Sequence, residues 1–117
     1  MILSISKIAD RGELEKERIV LKALEDGDIG KFAIFCCRKG KSGSALSGRI
    51  PDAYWIIDKQ VSQGDLVIIY SKSGTRGEKL NKDGSTSHFF YWGKSESIWS
   101  DNRIAAVVNT QAYEFSK

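Results

Sequence analysis

The stretch GSTSHFFYWG, Gly84 to Gly93, sets the chain's only histidine, His88, beside four consecutive aromatic residues. An imidazole offers general acid–base chemistry. Aromatic rings interleaved with basic side chains offer a stacking surface for nucleobases. In a strand, His88, Phe90 and Trp92 share one face while Phe89 and Tyr91 share the other. Both faces are then aromatic, as in a strand covered on both sides, and Phe90 and Trp92 are expected in the core because aromatics dominate small cores. No nucleophile or carboxylate lies close to His88 in sequence, so the residue is read as filling a hydrogen bond at the surface or an edge. No catalytic residue is assigned, and a small His88-dependent enzyme using a cysteine or carboxylate brought close by the fold stands last among the readings.

The two cysteines, Cys36 and Cys37, are adjacent. Their side chains point to opposite faces of a strand, which excludes an ordinary disulfide between them. Arg38 and Lys39 would favour a thiolate, but the expected arrangement is one buried cysteine and one incidental. No metal-ligand spacing occurs, and no metal or cofactor is expected. The segment GKSGSALSG has phosphate-loop glycines without the Lys-Ser/Thr pair opening a helix, so Gly40, Gly43 and Gly48 are read as loop residues.

Formal net charge is +3, too mild to announce nucleic-acid binding. Its distribution says more. From Asp10 to Asp28 acids outnumber bases, whereas from Arg38 to Arg49 only bases occur. The candidate basic rim is Arg38, Lys39, Lys41, Arg49, Arg76, Lys79 and Lys82, and the candidate exposed aromatics are Tyr54, Trp55, Tyr91 and Trp99.

The elements that must position these residues are strands. Apolar residues come in short β-branched or aromatic runs bounded by Gly, Asp, Asn and Ser: ILSISKI, ERIVLKAL, KFAIFCC, AYWIID, DLVIIYSK, SHFFYWG, RIAAVVN and AYEFS. A helix over Gly12 to Leu24 competes, because ELEKERIVLKALE is rich in helix formers. Pro51 marks a boundary just before a strand. About eight strands without βαβ spacing predict an all-β fold, an antiparallel immunoglobulin-like sandwich, in a single domain over residues 1–117. Two long polar connections, Arg38 to Asp52 and Ser73 to Ser87, are the candidates for function. If strands alternate up and down, both loops leave from one end and their cations form one rim. The sequence has no run approaching the roughly 20 apolar residues of a membrane span and no signal-peptide pattern, which points to the cytoplasm.

The order of segments resembles the lamin tail domain, an immunoglobulin-like sandwich. ERIVLKALEDGDIGKFAIF is similar to that family's strand, turn and strand, VSQGDLVIIYSKSG to its Gly-Asp-initiated strand, and YWGKSESIWSDNRIAAVVNTQAYEF to its closing hairpin. Phe32 stands where that family often has Trp, and SDNRIAAVV lacks the usual Gly-Asp. The resemblance implies a non-catalytic binding module. The leading expectation is therefore an intracellular module that binds a protein partner, or a second copy of itself, through an edge strand or loop rim. The alternative is a weak nucleic-acid-binding domain using basic loops 38–49 and 72–82 with exposed aromatics.

Overall fold

The computed structural model describes residues 2–43, 50–100 and 102–116. Among them ten strands form and no α-helix: β1 (Leu3–Ala9), β2 (Arg18–Ala23), β3 (Gly27–Asp28), β4 (Phe32–Arg38), β5 (Asp52–Trp55), β6 (Gln60–Val61), β7 (Leu66–Tyr70), β8 (Gly77–Leu80), β9 (Thr86–Tyr91) and β10 (Arg103–Asn109). A single 3-10 turn, Ile29–Lys31, precedes β4. No helix among the described residues is long and apolar enough to cross a membrane.

A five-stranded sheet in the order β1-β2-β7-β9-β8 lies against a three-stranded sheet, β10-β4-β5, and β3 pairs with β6 in a small ribbon. The fold is an all-β sandwich. Period-two alternation generates it: Ile19, Leu21 and Ala23 of β2 are fully buried while Lys22 is exposed. Val67, Ile69 and Phe90 continue that inner face across β7 and β9, opposite Phe32, Ile34 and Cys36 of β4, with Trp99 and Ile56 filling the middle. Burying a large apolar side chain is worth roughly 1.5–3 kcal/mol, so this cluster is the main source of cohesion.

The strand reading of ERIVLKAL holds over its competitor, and two further features differ from the sequence expectation. The helix over Gly12 to Leu24 does not form: a turn, in which the Lys16 and Glu17 amides donate to the Glu13 carbonyl, leads into β2. The β-branched Ile19 and Val20 and the alternating burial outweigh local helix propensity. AYEFS is not a strand, and Tyr113 to Ser116 lie outside any element. The connection Ser73 to Ser87 holds an edge strand, β8, antiparallel to β9, and this crossover makes β7 and β9 a parallel pair in an otherwise antiparallel sheet.

Candidate nucleic-acid interface

One pole of the sandwich gathers the start of β2, the ends of β4, β7 and β9, and the starts of β5 and β10. A buried carboxylate organises it. Glu17, fully shielded from solvent, accepts hydrogen bonds from the Gly12 amide (3.0 Å), the Ser71 and Ser97 hydroxyls and the Ile98 amide (2.9 Å). Burial alone would raise its pKa, but these donors together hold it below the usual glutamate value. The Cys36 thiol lies 3.3 Å from the Ile98 carbonyl, tying the same segment to β4.

Beside that knot, Arg38, Lys39, Ser100, Asn102 and Arg103 line a cleft of about 500 Å³. Arg103 faces Arg38 across the β10–β4 ladder, and the Lys39 amide donates to the Asn102 carbonyl. Arg11 reaches in from the loop before β2, its Nη1 donating to the Arg103 carbonyl at 3.0 Å. A buried nitrogen, Nη1 of Arg103, has no hydrogen-bond partner among the described residues. A second cleft of about 300 Å³ adjoins across Ser100 and Arg103, where Lys94 is paired with Asp52 at 2.6 Å. Forked guanidinium donors lining a polar cleft suit an anion with several oxygens, such as a phosphate.

The structure divides the predicted rim. Arg38, Lys39 and Lys41 are exposed at this pole, and Arg76 lies near the Tyr54 phenol, whose pKa burial raises and Arg76 partly restores. Lys79 and Lys82 go to the opposite end, because β8 runs back along β9 and sets Lys79 against Ser87 near the start of that strand. Simple up-and-down parity fails because of the β7–β8–β9 crossover. Arg49 lies outside the described residues.

The aromatic candidates divide too. Trp99 is fully buried and meets Trp92 edge-on with ring centroids 6.0 Å apart, so it offers no face to a ligand. The bonds from the Ser97 hydroxyl and the Ile98 and Trp99 amides to Glu17 hold this segment inward. Tyr91 stacks on Tyr70 at 5.5 Å and 12°, and Gly74 packs so closely on its ring that an added Cβ would sit 2.4 Å from it. Arg18 and Lys72 cap the Tyr70 ring. Tyr54 leans on Trp92 at 5.4 Å. Of the four, Trp55 presents the most open ring, 44% exposed.

His88 is buried rather than at the surface, and its Nε2 lies 2.8 Å from the Asp65 carboxylate. Asp65 also accepts the Ser62 and Thr86 amides. Burial alone would raise its pKa, and the His88, Thr86 and Ser62 bonds outweigh that and lower it. This pair joins the start of β7 to the start of β9. Cys36 and Cys37 are both buried, and burial pushes the Cys36 thiol up to about 11. Among the described residues no group of three or more His, Cys, Asp and Glu side chains could hold a metal ion.

No protein-family profile matches the chain. The chain is similar to a Haemophilus influenzae protein inferred to be a type I restriction enzyme specificity subunit, with 33% identity over 118 positions. The match covers 82% of this chain but 29% of the relative, so the chain spans less than a third of that protein's length. This relative overturns the leading expectation of a protein-binding module acting through an edge strand or loop rim. A restriction-enzyme specificity subunit accords with the nucleic-acid alternative instead.

Proposed function

We propose that this chain is a non-catalytic nucleic-acid-binding domain that grips the phosphate backbone at the Arg103 pole. The observation that carries the reading is the cleft in which Arg38, Lys39 and Arg103 converge, with one guanidinium nitrogen of Arg103 buried and without a partner among the described residues. Restriction enzymes act on DNA, and a specificity subunit by its name directs where. The similarity to such a protein supports DNA as the first ligand to test.

Arg103, Arg38 and Lys39 would each neutralise a phosphate, with Lys41 and Arg11 close by. Three such contacts give a slope of log affinity against log salt of about −2.7, which is roughly a 40-fold loss between 50 and 200 mM salt. The test is fluorescence anisotropy of labelled duplex and single-stranded DNA across that range. Arg38→Ala with Lys39→Ala should weaken binding and flatten the slope by about two units. Absence of binding at 50 mM salt, or a slope unchanged in the double variant, defeats the reading.

A further inference from the structure

An aromatic cavity at the other end of β5 has no part in the phosphate cleft. Gly30, Trp55, Ile56, Ile57, Asp58, Tyr113 and Phe115 line a space of about 490 Å³. Its three rings are among the most exposed large side chains of the molecule, Trp55 at 44%, Tyr113 at 63% and Phe115 at 69%. Trp55 and Tyr113 meet edge-on at 4.9 Å, Tyr113 and Phe115 lie 5.3 Å apart, and Trp55 and Phe115 form the most nearly parallel pair, 33° apart with centroids at 6.0 Å.

The floor is built rather than incidental. The Trp55 indole N–H donates to the Gly30 carbonyl at 2.9 Å, which fixes the ring. Asp28 Oδ1 accepts from the Gly30 amide at 2.8 Å and the Lys59 amide at 3.0 Å, joining the two backbone segments that flank the cavity. Asp58 lies so close over Gly30 that a Cβ there would come within 2.0 Å of its Oδ1. Only glycine at position 30 leaves the Asp58 carboxylate where it is. Trp55 also stands three residues along β5 from Asp52, which is paired with Lys94 at the phosphate pole. Three strand residues span about 10 Å, within reach of a bound strand.

We propose that this cavity receives one unstacked nucleobase bearing an exocyclic amino group, cytosine or adenine, held on Trp55 with Asp58 accepting from the amine. Aromatic rings stack on bases regardless of sequence, and a carboxylate discriminates by accepting from an exocyclic amino group such as that of cytosine. A base sandwiched by two rings needs about 6.8 Å, twice the roughly 3.4 Å stacking spacing. Trp55 and Phe115 are tilted by 33° with centroids 6.0 Å apart and Tyr113 packs against both, so, to admit a base over Trp55, Phe115 has to swing. It lies beyond the bonds from Thr110 to the Lys31 carbonyl and in no strand, so the wall that moves is the one the sheet does not hold.

The choice of ligand rests on the nucleic-acid reading, but the test is independent of the Arg103 cleft because free nucleosides carry no phosphate. Cytidine, adenosine, thymidine and tetramethylammonium chloride are titrated against tryptophan fluorescence of the full chain. Cytidine and adenosine should quench saturably, thymidine about tenfold more weakly. The signal should vanish in Trp55→Phe, since Trp99 is buried and Trp92 is packed against the core. Asp58→Ala, in an exposed position, should retain the wild-type melting temperature and lose the preference for cytidine over thymidine. Quenching that persists in Trp55→Phe, equal affinity for all three nucleosides, or a response to the quaternary ammonium alone would overturn the proposal. Salt-dependent DNA binding with no nucleoside response would leave the phosphate cleft standing and remove this site.

Discussion

Replacing Glu17 with glutamine tests the knot that shapes the phosphate pole. The two carboxylate oxygens divide their donors unequally: Oε1 takes the Gly12 amide and the Ser97 hydroxyl, and Oε2 takes the Ser71 hydroxyl, the Ile98 amide and, at 3.4 Å, the Trp99 amide. An amide at this position must turn an NH₂ toward one set. The better choice places it at Oε1, where the Ser97 hydroxyl can rotate to accept and only the Gly12 N–H is orphaned. The Gly12 N–H makes a part-buried bond from an exposed residue, so orphaning it costs about 1 kcal/mol, the low end for a lost donor, and the charge-assisted bonds become neutral ones, offset by relief of the buried charge. Glu17→Gln should thus lower stability by about 1 kcal/mol at neutral pH. The pH dependence separates this from a packing effect. Because the folded-state pKa of Glu17 is depressed, its contribution is fully present above the unfolded value of roughly 4.3 and is lost as pH falls through the folded pKa. Protonated Glu17 resembles glutamine, so the gap between wild type and variant should narrow as pH falls below about 4. Urea unfolding of both proteins between pH 7 and pH 3 measures it. A gap under about 0.5 kcal/mol at pH 7, or one that widens with acid, would refute the reasoning.

Asp65→Ala removes the acceptor for His88, Ser62 and Thr86 at once and should cost about 3–5 kcal/mol, read by chemical denaturation, whereas His88→Gln should cost less. Gly74→Ala pushes a methyl group into the Tyr91 ring and should destabilise by about 1–3 kcal/mol, while Tyr91→Ala together with Gly74→Ala should recover part of that loss if the clash is the cause. Cys36, buried and with its pKa raised to about 11, should resist a thiol-titrating disulfide reagent at pH 8 in the native protein and react in urea; rapid native labelling of Cys36 would contradict the placement.

What the sequence disclosed followed from periodicity. The alternation in ERIVLKAL gave β2, Pro51 stands one residue before β5, and the split of the HFFYW run into two faces holds, with His88 and Phe90 buried inward and Phe89 and Tyr91 meeting Tyr70 on the outer face. What stayed hidden depended on long-range partners. Glu17 reads as one more acid in a charged stretch, yet its acceptor role is set by residues 54 and 80–82 positions away. In β8, GEKL is exposed at every position and shows no hydrophobic pattern; only its backbone bonds to β9 make it a strand. Arg103 merely opens RIAAVVN in the sequence, and only the β10–β4 register sets it opposite Arg38. AYEFS reads as a strand because alternation cannot distinguish a sheet face from a tail folded onto one exposed tryptophan, as Tyr113 and Phe115 are on Trp55.

The mild net charge is misleading because it averages paired and unpaired cations. Arg18 is held by Asp10, Lys72 lies beside Glu15, and Lys94 is bound to Asp52. Such pairs contribute little to a long-range field, each cation being cancelled within a few ångströms. Arg38, Lys39 and Arg103 have no carboxylate partner among the described residues, and they line one cleft. They form one cluster of cations acting over a Debye length of about 8 Å at physiological salt, while exposed Lys79 and Lys82 lie at the opposite end, where Lys59 is paired with Glu78. A strand captured by its phosphates at the cationic pole would thus be oriented, with its bases left to find the aromatic cavity by stacking and hydrogen bonding rather than by charge.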